Sequence, residues 1–400
     1  MERRDFIKRT ALASGAFLIP SFLKPLEAMA MGDMTGYKNL VIIQLSGGND
    51  GLNTIIPYGN DIYYQKRKTI AINKPDIITL NDMLGFNPNL SALKEIYDQG
   101  WMSIINSVGY PNPDRSHFRS MDIWQTGSDA NQFLTTGWIG RYLDSNCQSC
   151  TNPYTAIEVD DTLSLAMKGA TLKGIAVQDP NKLFQTTREP FFKDLVGHRD
   201  ANLNEDNLGY LYKTMIETYS SANYIQNTSK TYNVTAPYPA TGLGNQLKTV
   251  SKFINSGLQT RIYYVSLSGF DTHVGQQAQQ GRQLKIYADA VAAFIKDLKA
   301  TNKLDDTLIM SFSEFGRRVE QNASNGTDHG TANNVFVFGG KLKKPGIYND
   351  APDLTTLDNG DLKYQIDFRD VYATLLDKWL DVSNSQVLTK NFAGLDLISV

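Results

Sequence analysis

Four hundred residues, 41% hydrophobic and 20% charged, supply ample material for a buried core. A formal net charge of −2, with no basic run and no interleaving of basic and aromatic residues, excludes the electrostatic footprint of a nucleic-acid-binding protein. Only four histidines occur, His117, His198, His273 and His329, so any metal site or imidazole acid–base must draw on them.

Residues 1–30 read as an address. Arg3-Arg4-Asp5-Phe6-Ile7-Lys8 looks like a twin-arginine export motif. An apolar stretch over residues 11–23 follows, interrupted by Pro20 and short for a membrane span, and Ala28-Met29-Ala30 suits cleavage. The mature chain is expected to start near Met31, after passage through the twin-arginine translocase. It should work in the periplasm or as a secreted protein, with no stable membrane insertion. Cys147 and Cys150 make one Cys-x-x-Cys without a second pair, a poor zinc site. In an oxidising compartment a local disulfide is the plain reading, and a redox-active pair is the weaker one.

Residues 39–45 (Asn-Leu-Val-Ile-Ile-Gln-Leu) predict a buried strand that stops in Ser46-Gly47-Gly48-Asn49-Asp50. Residues 57–74 are polar and predict loop with short helix. Asn87-Pro88-Asn89-Leu90-Ser91 opens a helix with Leu90, Leu93, Ile96 and Tyr97 on one face, ended by Gly100. Residues 102–108 are a second strand, parallel to the first across that helix. A further helix is predicted to begin near Ser116, a good N-cap residue. The stretch at about 151–250 is less regular. It holds a helix over residues 208–224 and is expected to form a cap or insertion over the site. Strands return at residues 261–267, 307–312 and 335–338, with a long helix between the first two and a last helix over residues 367–380 capped by Asp367.

These strands are each followed closely by a polar cluster. The clusters hold Asp50, Ser116 with His117, Asp271 with His273, Glu314 with Arg317, and Asp328 with His329. In an α/β fold, parallel strands bring their carboxyl ends to one edge, where groups far apart in sequence converge. Carboxylates mixed with imidazoles suit a divalent metal such as zinc, or manganese where oxygen ligands dominate. Taken singly, each residue has an ordinary reading as a cap or a packed side chain.

Several motifs together resemble the DUF1501 family, twin-arginine-exported proteins of the alkaline phosphatase/sulfatase superfamily. They are Gly47-Gly48-Asn49-Asp50-Gly51-Leu52-Asn53, Arg115-Ser116-His117-Phe118 with Trp124, Gly269-Phe270-Asp271-Thr272-His273, Ser313-Glu314-Phe315-Gly316-Arg317, Thr327-Asp328-His329-Gly330 and Asp367-Phe368-Arg369-Asp370-Val371-Tyr372. The resemblance implies one alkaline-phosphatase-like α/β domain over residues 31–400, a three-layer αβα fold with a mostly parallel central sheet and a partly helical insertion. It also implies an exported metal-dependent hydrolase of phosphate or sulfate esters acting on a small anionic ester or polymer. Matched by order, Asp50, Asp271, His273, Glu314 and His329 stand for the metal ligands. Ser116 stands for the nucleophile, His117 for an acid–base or a replacement imidazole, and Arg317 for an anion clamp. The ion would be zinc, with manganese or calcium as other options, and one or two ions would be held. Asp271 and His273 are separated by one residue rather than three, and Phe315 replaces an imidazole after Glu314. This reduced set motivates an alternative, a catalytically silent module of the same fold serving binding or envelope assembly. A plain Ser-His-Asp esterase is a weaker third reading, because no Gly-x-Ser-x-Gly elbow is present.

Overall fold

The strand Asn39–Leu45 (β1) is buried at every position, and its alternate residues feed two different cores. In the computed structural model, which describes residues 37–146, 152–190, 192 and 207–399, Leu40 and Ile42 point to one side of the sheet. Val41, Ile43 and Leu45 point to the other. That is the two-sided burial expected of a strand covered on both faces. The helices His117–Thr126, Trp138–Asn146 and Phe368–Thr374 cover the first side through Ile123, Trp138 and Tyr372. Ser91–Asp98, Gly242–Asn255 and Gln276–Ala300 cover the second through Leu93, Val250 and Leu284. Each such buried aliphatic side chain contributes roughly 1.5–3 kcal/mol. The result is the expected α/β fold with helices on both faces of the sheet. The expected leader, the pair Cys147 and Cys150, and His198 lie outside the described residues.

The remaining strands are Ile55–Ile56 (β2), Ile78–Thr79 (β3), Gly85–Phe86 (β4), Met102–Gly109 (β5), Ala156–Glu158 (β6), Ile175–Ala176 (β7), Ile262–Leu267 (β8), Thr307–Phe312 (β9), Asn333–Phe338 (β10), Gly346–Ile347 (β11) and Ile366–Asp367 (β12). The main sheet runs β11-β5-β10-β9-β1-β8-β6-β7, with β12 also on β5, while β2, β4 and β3 form a small separate sheet. β1 is parallel to β8 and β9, whereas β10 is antiparallel to both β9 and β5. So β5 does run parallel to β1, as the βαβ reading expects, but β9 and β10 lie between them. Part of the stretch at 151–250 is built into the sheet, where β6 pairs with β8 and β7 with β6. Among the described residues no helix is long and apolar enough to cross a membrane.

The reversal at β10 positions the site. β9 ends at the carboxyl edge and β10 begins there, so the whole connection over residues 313–332 stays at that edge. It meets the loops that follow β1 and β8. The turn after β1 needs its glycines: Gly47 and Gly48 have φ of 118° and 67°, which side-chain-bearing residues rarely adopt.

Candidate metal centre

Three imidazoles meet one carboxylate at this edge. His117 opens the helix His117–Thr126, Asp271 and His273 follow β8, and His329 lies in the connection before β10. Nε2 of His117 lies 3.5 Å from Asp271 Oδ1, that of His273 3.1 Å, and that of His329 3.4 Å. The Nε2 atoms of His273 and His329 are 2.9 Å apart. His117, Asp271 and His329 form a set whose ligand atoms all lie within 4.8 Å of one another.

The opposite nitrogen of each ring is held by an oxygen. Nδ1 of His117 lies 2.8 Å from Glu314 Oε1, and that of His273 lies 3.3 Å from Asp328 Oδ1. His329 Nδ1 donates to the Arg115 carbonyl at 2.7 Å. Each of these oxygens is an acceptor, as is Asp271 Oδ1 on the other side of the rings; in the tautomer with the proton on Nδ1, each Nε2 presents a lone pair to the centre. Two such nitrogens at 2.9 Å repel unless a proton or a cation lies between them. His117 Nε2 is buried without a hydrogen-bond partner, a costly state for an imidazole nitrogen.

Those distances fit a metal. Two ligands of a tetrahedral zinc, each about 2.0–2.1 Å from the ion, stand roughly 3.3 Å apart. The Glu314 hydrogen bond raises His117, with burial opposing it, while burial lowers His329. Burial pushes Asp271 up, but the Arg317 hydrogen bond and charge and the neighbouring imidazoles outweigh it and hold the carboxyl low. Asp328 is lowered by its bond from Asn322 first, against burial, with His273 adding to it. Phe315 supplies an apolar wall, its ring 4.8 Å from that of His117 and 4.7 Å from that of His329 between centroids.

Other residues singled out from sequence have different surroundings. Asp50 is buried, with Oδ2 paired to Arg67 and Gln276 and Oδ1 accepting the Leu52 N–H. It stands outside the close-set group, and its oxygens are taken up by protein donors. Glu314 is also buried; its Oε1 accepts the Gly47 N–H as well as facing His117, and its Oε2 accepts from Ser313 Oγ. It therefore orients an imidazole. Arg317 is buried too. Its Nε donates to Gly48 O, Nη1 to Thr327 O, and Nη2 to Gly47 O, Phe270 O and Asp271 Oδ1. The guanidinium thus ties together the turn after β1, the loop after β8 and the connection between β9 and β10. Ser116 is the N-cap of His117–Thr126 and is exposed; its hydroxyl makes no capping bond. Asp328, grouped with His329 from sequence, faces His273, and Phe315, noted there only in place of an imidazole after Glu314, walls the centre.

A model of the family described as "Protein of unknown function (DUF1501)" matches residues 223–397. No curated protein matches the chain. Similar solved structures include the PsFucS1 sulfatase from Pseudoalteromonas sp., at 14% identity over 94% of this chain and 73% of that one, with a TM-score of 0.41. The C-terminal periplasmic domain of EcEptC from Escherichia coli, solved in complex with Zn, is 13% identical over 76% of this chain and 72% of that one, with a TM-score of 0.35. The lipoteichoic acid synthase LtaP from Listeria monocytogenes is 11% identical over 78% and 67%, also with a TM-score of 0.35.

Proposed function

We propose that the chain is an exported hydrolase of phosphate or sulfate esters built around one divalent metal held by His117, His329 and Asp271, with the His273 imidazole beside them. The observation that carries this reading is the convergence of three Nε2 atoms on Asp271 Oδ1, with every Nδ1 fixed by an oxygen. Zinc-binding imidazoles usually donate their other nitrogen to a carboxylate or a carbonyl in this way. Three imidazoles favour zinc over manganese or calcium. When bound, the ion would polarise an ester oxygen and make a nearby hydroxyl or water a better nucleophile.

The chain's own residues have these roles. Glu314, Asp328 and the Arg115 carbonyl hold the rings in register. Arg317 fixes the loops and the Asp271 carboxylate. Ser116, at the start of the helix that carries His117, is the proposed nucleophile, and its exposure leaves it open to an ester. His117 serves as a ligand, which supplies the imidazole missing after Glu314. Asp50 serves the scaffold through its pair with Arg67. Export by the twin-arginine route, and work in the periplasm or beyond the cell, belong to the same proposal and rest on the leader.

The test is elemental analysis of protein purified without chelator, followed by turnover of chromogenic phosphate monoesters, phosphodiesters and sulfate esters with added divalent ions. One zinc per chain with turnover that Ser116→Ala abolishes supports the reading in full. Zinc without turnover of any ester supports the silent-module alternative. No metal and no turnover contradict both the centre and the activity.

A further inference from the structure

We infer that Arg115 and Arg318, positioned by the buried Asp361, form a second anion subsite beside the metal centre that takes an additional anionic group of the substrate. This rests on the hydrolase reading for its purpose, though its geometry stands apart from the metal ligands. Asp361 is fully buried. Its Oδ2 accepts from Arg115 Nη2, and its Oδ1 lies 3.6 Å from Arg318 Nε with no hydrogen-bond partner. One carboxylate therefore anchors Arg115 by a hydrogen bond and lies within ion-pair distance of Arg318, without saturating either guanidinium. Their side chains remain 44% and 36% exposed. Among the described residues, Arg115 Nε and Nη1 have no hydrogen-bond partner, and Arg318 spends Nη2 on the Asn359 carbonyl. Free edges of an anchored fork are what bidentate recognition of a phosphate or sulfate requires.

Both arginines are joined to the segment that holds His329. The Arg115 carbonyl accepts from His329 Nδ1, while the Arg318 N–H donates to the Asp328 carbonyl. Arg318 and Asp328 also line a cavity of about 290 Å³, together with Lys66, Glu320 and Gly360. Lys66 and Glu320 there are paired to one another at 2.9 Å. Asp328 faces His273, so the cavity abuts the support of the metal centre. A monoester with a single charged group would need only the centre; a built arginine pair next to it suits a substrate with at least two anionic groups.

The test is calorimetric titration of the chelator-treated full chain with inorganic pyrophosphate and, separately, with inorganic phosphate. Wild type should bind pyrophosphate more tightly than phosphate. Arg115→Gln and Arg318→Gln should each weaken pyrophosphate binding by about tenfold or more. Arg115→Lys, which keeps the charge and loses the fork, should also weaken it. Asp361→Asn gives the distinguishing sign. If Asp361 only neutralises charge, its loss should tighten binding; as a positioning residue, its loss should weaken it. Thermal unfolding of each variant identifies any that misfold, and the Arg115→Lys result then decides. Failure of wild type to bind pyrophosphate, or unchanged binding in the two glutamine variants, overturns the subsite. Zinc uptake is measured in parallel. Its absence in wild type removes the metal centre and leaves the subsite standing, whereas intact uptake with unchanged pyrophosphate binding in the arginine variants removes the subsite alone.

Discussion

Glu314 Oε1 lies 2.8 Å from His117 Nδ1 across 197 positions of sequence, and this contact decides which way the ring presents its other nitrogen. The same oxygen accepts the Gly47 N–H, so the turn after β1 and the start of the helix His117–Thr126 are locked to one carboxylate. Replacing Glu314 with Gln removes the charge that raises His117 and loosens the ring's orientation. Zinc affinity should fall by roughly 10–100-fold, read by competition with a chromophoric chelator. An unchanged affinity would mean that Glu314 has no part in orienting the ring.

At Gly47 the turn after β1 packs directly against the backbone of the loop after β8. A Cβ there would lie 2.5 Å from the Asp271 backbone nitrogen, and φ at 118° strains any side chain. Gly47→Ala should displace Asp271 and reduce bound zinc well below that of wild type, with the rest of the fold retained by far-ultraviolet circular dichroism. Full zinc occupancy in that variant would show that the loop can shift without cost to the centre.

Asp50 and Arg67 form a pair whose side chains are both wholly buried. Arg67→Met leaves the carboxylate buried and unpaired, and should cost about 3–5 kcal/mol, read from the denaturant midpoint. Asp50→Asn should leave zinc stoichiometry as in wild type, because the proposed ligands are His and Asp side chains outside this pair. Loss of zinc in Asp50→Asn would return Asp50 to the ligand set.

Glu158, at the end of β6, gives a pH dependence separate from the centre. Burial pushes its carboxyl from the ordinary 4.5 up to about 7, against a lowering bond from the Ser164 N–H. The folded chain therefore keeps a proton that the unfolded chain releases near 4.5. Stability is fully present below that value and declines as pH rises toward 7, by roughly 1.4 kcal/mol per pH step of one across that window. Glu158→Gln should match wild type near pH 4.5 and exceed it at about pH 8, measured by denaturant unfolding. Parallel curves for the two proteins would contradict the assignment.

The strands that end in glycine and the polar clusters after them were legible because each signal is local: an apolar β-branched run, then a turn residue, then a titratable group. His273 and His329 with Asp271 came from that pattern. The antiparallel β10 was not legible, since Val335-Phe336-Val337-Phe338 reads the same in either direction. The pairing of Asp50 with Arg67 was not legible, because Arg67 sits in a polar stretch with no periodicity. Arg317 looked like a clamp for substrate because sequence does not reveal that carbonyls 47 to 270 positions away already hold its donors. The middle of the chain was opaque for a related reason. β6 and β7 have three and two residues, too few for alternation to register; β8 holds β6 in place and β6 holds β7.

The most direct test of the centre is the metal content of the purified protein, by inductively coupled plasma mass spectrometry, for wild type and for His117→Ala, Asp271→Ala and His329→Ala. One zinc per chain is expected in wild type, with its loss in each variant. A metal-free wild type, or zinc retained at full stoichiometry when these side chains are removed, would contradict the centre.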